Sequence, residues 1–438
     1  MPLLLTNNLG ARKERIDWDE LTKTFQDAVL ITRKLGLRYL WIDSLCIMQD
    51  SASDWAFEAS RMASVYKSAY VVAAATASRN GDDGFFNPRS PSYDIAACIG
   101  HGELANVHVQ RQICHRTIVE RQMTTDTMPL LDRAWCFQER LLARRIIHFT
   151  EAEIMWECHE KLWCECKVIQ NPSFHAKMPT TGNFKLSYAS AMSAPDIDIR
   201  LKAWAMVVAE YSRRALTVPT DRLPAISGIA KDIALPEMGR YLAGIWECQL
   251  PQALLWEQRD GLLERQASLD ARPSQYQAPT WSWASISSSA LLASDRYDKL
   301  TCKLVKADCK LVSQDPYGQV TYGYVRLVGP ATTVFLHRTD RLLKGVGCVY
   351  RTFRGRTESS EDLGLSIDRD IDLTADLIHS KILVFTNEEG PEPKARRWWS
   401  GLVLVPSVTH EACWERIGRV SGRDMEMLTC SEEHITIV

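Results

Sequence analysis

The chain has 438 residues, room for about two domains of ordinary size, and its 46% hydrophobic and 24% charged residues are those of a globular protein rather than a disordered or collagenous one. Lys and Arg total 52 against 54 Asp and Glu, and the net charge of -2 supplies no whole-chain field for nucleic acid or an anionic membrane. The opening MPLLLTNN lacks the basic segment and apolar run of a secretory signal, and no stretch reaches the ~18 apolar residues of a membrane span. The 13 scattered cysteines are an odd count that reads as reduced thiols, so a cytoplasmic protein is expected.

From Ile16 the pattern is helical: Asp17 and Glu20 have capping-box spacing, Leu21, Phe25, Ala28, Val29 and Leu35 make one stripe, and Gly36 can end it. Arg38 to Ile42 (RYLWI) reads as a buried parallel strand running into Asp43, Ser44 and Cys46. Ser53 can cap a helix carrying Trp55, Ala59, Met62 and Tyr66, and Tyr70 to Ala75 (YVVAAA) reads as a second strand. Strand, helix, strand without polar alternation predicts a right-handed crossover and an α/β fold. Ile95 to Glu120 leans to β structure. A helix from Asp132 carries Trp135, Glu139 and Leu142, followed by a hairpin of Ile146–Phe149 and Glu153–Trp156. Residues 171–200, with Pro, Gly, Ser and Thr and little periodicity, read as a linker. Residues 201–300 form a helical extension ending in a Trp-rich segment, and 301–438 are β-rich, with Asp315-Pro316-Tyr317-Gly318 as a turn.

Common mechanistic signatures are missing: G-x-x-x-x-G-K, G-x-G-x-x-G after a strand, G-x-S-x-G and H-E-x-x-H do not occur. His101, His108 and His115 recur every seven residues, a period that fits no strand face. Cys158, His159, Cys164 and Cys166 offer four zinc-type ligands, but adjacent Cys-His and C-x-C do not match C-x2-4-C knuckles, so no metal site is expected. Asp43, Ser44, Cys46, Gln49 and Asp50 lie where an open α/β sheet binds ligands, beyond a strand's carboxyl end; the competing role for the two aspartates is capping. Trp135 and Glu139 are i, i+4 on one helix face, so an indole would desolvate the carboxylate and raise its pKa. The competing role for Glu139 is an ion pair with Arg140, Arg144 or Arg145.

LGLRYLWIDSLCIMQDSASDWAFEASRMASVYKSAYVVAAATAS (Leu35 to Ser78), RAWCFQERLLARRIIHF (Arg133 to Phe149) and IMWEC (Ile154 to Cys158) resemble, in order, motifs of the fungal heterokaryon-incompatibility (HET) domain. YSRRALTVPTDRLPAISGIA (Tyr211 to Ala230), YLAGIW, LLW, APTWSWAS (Ala278 to Ser285) and the terminal EEHITIV resemble the extension many full-length HET proteins carry. The aromatic-Trp-Gly strand with which HET domains usually open has no counterpart in this sequence. The resemblance implies a HET-like α/β domain over residues 1–170, and a role in non-self recognition and regulated cell death. HET domains are also similar to TIR domains, some of which cleave nicotinamide from NAD. That similarity implies a TIR-like parallel sheet with flanking helices, and it aligns Trp135-Cys136-Phe137-Gln138-Glu139 with the TIR Trp-Cys-x-x-Glu pattern. Glu139 would then be the catalytic carboxylate with Asp43 beside it, and Ser44, Cys46 and Trp135 would bind the substrate. Trp281 and Trp283 would suit an aromatic-lined pocket, as in a recruited enzyme that tailors a small metabolite. A non-catalytic scaffold whose C-terminal region binds a protein partner is the third reading. The expected ligand is a small molecule or nucleotide, without a cofactor.

Overall fold

Thr22, and not Asp17, begins the first long helix. The computed structural model describes residues 2–88, 92–99, 103–110, 128–170, 184–258, 273, 275–292, 300–337, 349–351, 363–367, 378–388, 398–423 and 430–438. They fall into two units, Met1–Ser193 and Ala194–Val438. After a short α1 (Leu9–Glu14), the Asp17–Glu20 pair is taken up by a 3-10 turn, Trp18–Glu20. The Thr22 hydroxyl then accepts from Phe25 N and starts α2 (Lys23–Lys34), which buries Ala28 and Ile31 and closes at Gly36, φ +70.

The short α3 (Asp43–Cys46) leads to α4 (Ala52–Ser68), capped by Ser51 instead of Ser53, whose hydroxyl accepts from Asp54 N. Then come β1 (Val72–Ala74), the antiparallel hairpin of β2 (Ser92–Ile99) and β3 (Glu103–Gln110), and α5 (Ala134–Leu142). The unit ends with β4 (Arg145–Phe149), β5 (Ile154–Cys158), β6 (Leu162–Cys164) and α6 (Phe184–Ser193). His101 and His115 lie outside the described residues.

Two expectations are corrected. Arg38–Ile42 forms no strand: Ile42 is extended, at φ -134° and ψ 123°, but the segment joins no described ladder and Tyr39 is 88% exposed. Apolar sequence makes a strand only where the backbone finds a hydrogen-bonding neighbour, and here the extended chain is a lead into α3. The expected parallel, TIR-like sheet is a mixed one, in the order β1-β4-β5-β6. Only β1 and β4 run parallel, Val72 opposite Ile146, while β4–β5 and β5–β6 are antiparallel hairpin pairs. Its sheet face buries Phe149 against Phe85 in an edge-to-face pair, centroids 5.0 Å apart, with Ala28 and Ile31 of α2. Within the stretch read as a linker, 171–183 lie outside the described residues and Phe184–Ser193 is helical, with Phe184 packed on Phe137 at 5.7 Å.

The second unit begins with α7 (Ile197–Tyr211), where Asp196 accepts from Asp198 N and Ile199 N, and α8 (Pro224–Ile233), which has proline in its first turn. A tight hairpin joins β7 (Tyr241–Leu242) to β8 (Ile245–Trp246) through Ala243 and Gly244, both at positive φ. β9 (Glu257–Gln258) pairs with β10 (Ala290–Leu291). The β-rich region contains β11 (Lys303–Leu311), β12 (Val320–His337), β13 (Val349–Arg351), β14 (Leu363–Ile367), β15 (Ile378–Glu388), β16 (Trp398–Pro406), β17 (Trp414–Arg423) and β18 (Ser431–Ile437). β12 pairs with β15, β15 with β16, β16 with β17, β17 with β18, and β18 returns to β12, so the sheet closes as a barrel. Val334, Ile382, Val384, Trp399, Val403, Ile417 and Val420 form its apolar cluster.

The second unit encloses a group of tryptophans. Trp204, Trp246, Trp256, Trp281 and Trp283 are all buried below 2% exposure, and the Trp204 and Trp283 indoles both donate to the Gly244 carbonyl, at 3.1 and 2.8 Å. Among the described residues no helix is long and apolar enough to cross a membrane.

Candidate active site around Glu139

α5 buries Ala134, Cys136, Phe137, Leu141 and Leu142 and packs against α4, which leaves Glu139 half-buried on the side of the helix that meets α4 chemistry. The Tyr66 hydroxyl of α4 and the Cys136 thiol, three residues back on α5, both hydrogen-bond to the Glu139 carboxylate. Burial and then the negative charge of Asp43 push Glu139 up from 4.5 to about 7, against the lowering pull of those hydrogen bonds and of Arg133. A carboxyl group is thus divided between its two protonation states near neutral pH, which suits it to exchange a proton during a reaction.

The same neighbours act back on their partners. Burial, followed by the Glu139 charge, raises the Tyr66 hydroxyl and the Cys136 thiol well above their ordinary values, so both remain protonated donors. Edge-to-face pairs brace the group: Trp41 against Tyr66 at 5.8 Å, and Trp55 against Trp135 at 6.2 Å.

The charge of Asp43 therefore acts on Glu139. Asp43 is exposed at the first turn of α3, where Ile42 is the N-cap, and its carboxylate accepts from Ser44 N at 2.7 Å. Ser44 is 3% exposed, and its hydroxyl has no hydrogen-bond partner among the described residues. Cys46, one turn on, is an exposed residue whose thiol is raised by partial burial and by the charges of Asp43 and Glu58. Trp135 sits on α5 beside Trp55, half-buried. Asp50 is engaged with the Thr6 backbone and hydroxyl, and Gln49 with the Ile47 carbonyl.

The alternative assignment of Glu139 to an arginine clamp meets different geometry. Arg140 engages both oxygens of Glu157, and Arg145 donates to the Tyr70 carbonyl with its guanidinium 5.0 Å from the Tyr70 ring. Trp281 and Trp283 belong to the second unit and are 0% exposed, held in its interior.

Tyr66, Cys136 and Arg133 are the site residues that sequence reading missed. A local signal exists for Cys136, which is i-3 from Glu139 on the same helix face, whereas Tyr66 comes from α4 and no spacing along the chain links it to Glu139. Elsewhere in the unit, Glu153, Cys164 and Cys166 place ligand atoms within 4.8 Å of one another, without Cys158 or His159.

Residues 5–139 match the family model described as heterokaryon incompatibility protein (HET). No curated protein and no solved structure matches the chain. The matched span begins one residue after Leu4, the bridge partner of Met48, runs through α4 and ends on Glu139 itself. Residues 5–139 thus carry a heterokaryon-incompatibility (HET) domain match, a span that ends on the residue at the centre of the site.

Proposed function

We propose that this HET-domain protein is an effector of the non-self recognition and cell-death type, and that its N-terminal unit hydrolyses NAD or a related nucleotide through Glu139. The observation that carries this reading is the Glu139 carboxyl, raised to about 7 beside Asp43 and held by two protonated donors, Tyr66 and Cys136. The similarity of Trp135 to Glu139 to the TIR Trp-Cys-x-x-Glu pattern supports the same assignment.

In such a reaction the bond between the ribose anomeric carbon and the nicotinamide nitrogen breaks, and its electron pair neutralises the departing ring. The ionised Glu139 stabilises the positive charge on the sugar, as carboxylates do in glycoside cleavage. Water then adds to the anomeric carbon, and its proton passes to Glu139. Tyr66 and Cys136 orient the carboxylate, Asp43 lines the approach with Ser44 buried behind it, and Trp55 and Trp135 offer aromatic surface for a planar ring.

A tailoring enzyme could use the same Glu139 and Asp43, but the aromatic pocket that reading adds, Trp281 and Trp283, is completely buried, which favours packing. The scaffold reading leaned on Glu139 being tied to arginines, whereas Arg140 is engaged by Glu157. The test is nicotinamide release from NAD by the purified protein, beside a Glu139→Gln variant whose fold is checked by circular dichroism. Wild-type release that falls at least about 100-fold in the variant supports the proposal; no release from folded wild type overturns it.

A further inference from the structure

A second group of reactive side chains sits at the open end of the β5–β6 hairpin. β6 ends at Cys164, and the chain turns back through Lys167, at φ +62, with Lys167 N donating to the Cys164 carbonyl at 3.1 Å. This turn brings the Cys166 Sγ to 3.5 Å from the Cys164 Sγ. Glu153 arrives from the β4–β5 turn, which Thr150 closes by donating its hydroxyl to the Glu153 carbonyl and accepting from Glu153 N. One Glu153 oxygen accepts from Cys166 N at 2.8 Å, and the other lies 3.7 Å from the Cys166 Sγ. Gln170 completes the group: its Nε2 donates to the Cys164 carbonyl at 3.0 Å, which turns Oε1 to within 3.4 Å of the Cys164 Sγ.

These separations are close to the edges of one coordination tetrahedron. With zinc–sulfur bonds of ~2.3 Å and zinc–oxygen bonds of ~2.0–2.2 Å, a tetrahedral ion sets its sulfurs about 3.8 Å apart and each sulfur about 3.6 Å from an oxygen. The observed 3.5, 3.7 and 3.4 Å differ from those edges by only a few tenths of an ångström. The donor set has the required chemistry as well, since thiolate ligands select zinc-class ions over magnesium or calcium. Cys164 is 0% and Glu153 4% exposed, and Cys164 belongs to the apolar cluster of Met128, Leu131, Met155, Leu162 and Ile169, as an enclosed structural site requires.

We propose that Glu153, Cys164, Cys166 and Gln170 bind one zinc-class divalent ion that clips the β4–β5 turn to the segment following β6. Binding exchanges two thiol protons for the ion, forming two metal–sulfur bonds and releasing two protons to solvent. The ligands are not those that linear spacing would choose. Cys158 and His159 lie at the opposite, turn end of the hairpin, three strand residues or about 10 Å along β5 from Met155, the residue paired with Cys164.

The test uses the full-length protein, stripped with a chelator and kept under a non-thiol reductant, titrated with cobalt(II) as the spectroscopic stand-in for zinc. One equivalent is expected to produce the visible bands of tetrahedral cobalt and a near-ultraviolet thiolate charge-transfer band, both displaced by zinc. Cys166→Ser and Glu153→Gln should each weaken cobalt binding by at least about tenfold, and Cys158→Ser should leave it unchanged. A wild type without a tetrahedral spectrum overturns the proposal, as does undiminished binding in the Cys164→Ser, Cys166→Ser double variant. Should the variants fail to fold, zinc protection of wild-type cysteines from alkylation, mapped by mass spectrometry, decides: protection confined to Cys164 and Cys166 supports the site, and equal labelling with and without zinc refutes it.

Discussion

Arg140 grips Glu157 through two hydrogen bonds, Nε to Oε2 at 2.7 Å and Nη2 to Oε1 at 2.8 Å, so the cation next in sequence to Glu139 serves a different carboxylate. Glu157 is 0% exposed in β5 and also bonds His148 Nε2 at 3.1 Å, while His148 Nδ1 meets the Thr76 hydroxyl at 3.0 Å. Lys185 of α6, 1% exposed, donates to the Arg140 carbonyl. One residue of α5 therefore anchors the helix to the sheet and the preceding residue carries the candidate chemistry.

Folding raises Glu139 from 4.5 to about 7, chiefly through burial and then Asp43, so the folded protein holds this proton more tightly than the unfolded chain does. Its contribution to stability accordingly falls as pH rises from about 4.5 to about 7 and is level above that. Glu139→Gln keeps the acceptor for Tyr66 and removes the ionisation. The variant should melt higher than wild type at about pH 8 and at the same temperature near pH 4. A thermal series across pH checks this, and equal melting at every pH would place Glu139 in solvent with an ordinary pKa.

Glu157 carries the opposite sign. Burial alone would raise it, but Arg140, the His148 hydrogen bond and Lys185 outweigh burial and hold it well below 4.5. Glu157→Gln leaves the Arg140 and Lys185 charges without their carboxylate and should cost about 3–5 kcal/mol, read by urea denaturation. Burial also lowers His148 from 6.5, against the raising effect of Glu157, so folding disfavours its protonation. The unfolded chain gains a proton below about pH 6.5 that buried His148 refuses, and stability should drop there, with Glu157 adding a further loss from about 4.5 downward. His148→Gln should remove the first part of that acid loss and retain the second.

How far the sequence discloses this arrangement depends on the range of the interaction. The α5 helix, its hairpin and the Trp135–Glu139 face are local, and i, i+4 spacing was enough to single out Glu139. Arg38–Ile42 forms no described strand, yet the charge of Asp43 acts on Glu139, because the chain after Ile42 turns directly into α3 without any ladder. Tyr66 and Glu139 are joined only by helix packing, which a single stripe cannot register. The linear spacing of Cys158, His159, Cys164 and Cys166 does not register Glu153 and Gln170, which approach Cys166 and Cys164 from turns on either side of the hairpin. The barrel was legible as β content alone, since its closure depends on β18 finding both β12 and β17.

Gly244 has φ +96, and a Cβ there would come within 2.5 Å of the Trp283 indole nitrogen that its own carbonyl accepts from. Gly244→Ala should therefore destabilise the second unit by about 1–3 kcal/mol through backbone strain alone, more with the clash. Tryptophan fluorescence during denaturation reports it directly. Gly10→Ala, where a Cβ meets nothing within 4 Å in α1, is the control, and it should be neutral or slightly stabilising.

β18 turns an open sheet into a ring. It pairs antiparallel with β12 from Val325–Ile437 to Ala331–Ser431 and meets β17 at Trp414–Ile437, and the Val438 carbonyl accepts from Thr280 N at 3.1 Å. Ile435 and Ile437 point inward, 1% and 0% exposed, and Glu432 is exposed. Deleting residues 431–438 removes those apolar groups and leaves facing edges of β12 and β17 unpaired, a template for association between chains. The truncated protein should lose its cooperative melting transition in the second unit, bind an apolar dye and aggregate. Ile437→Ala should cost about 2–5 kcal/mol, whereas Glu432→Ala should stay within about 0.5 kcal/mol. A truncation that melted like the full chain would mean that the ring contributes no cooperativity, and that the second unit is held by its tryptophan-rich interior around Trp204, Trp256 and Trp283.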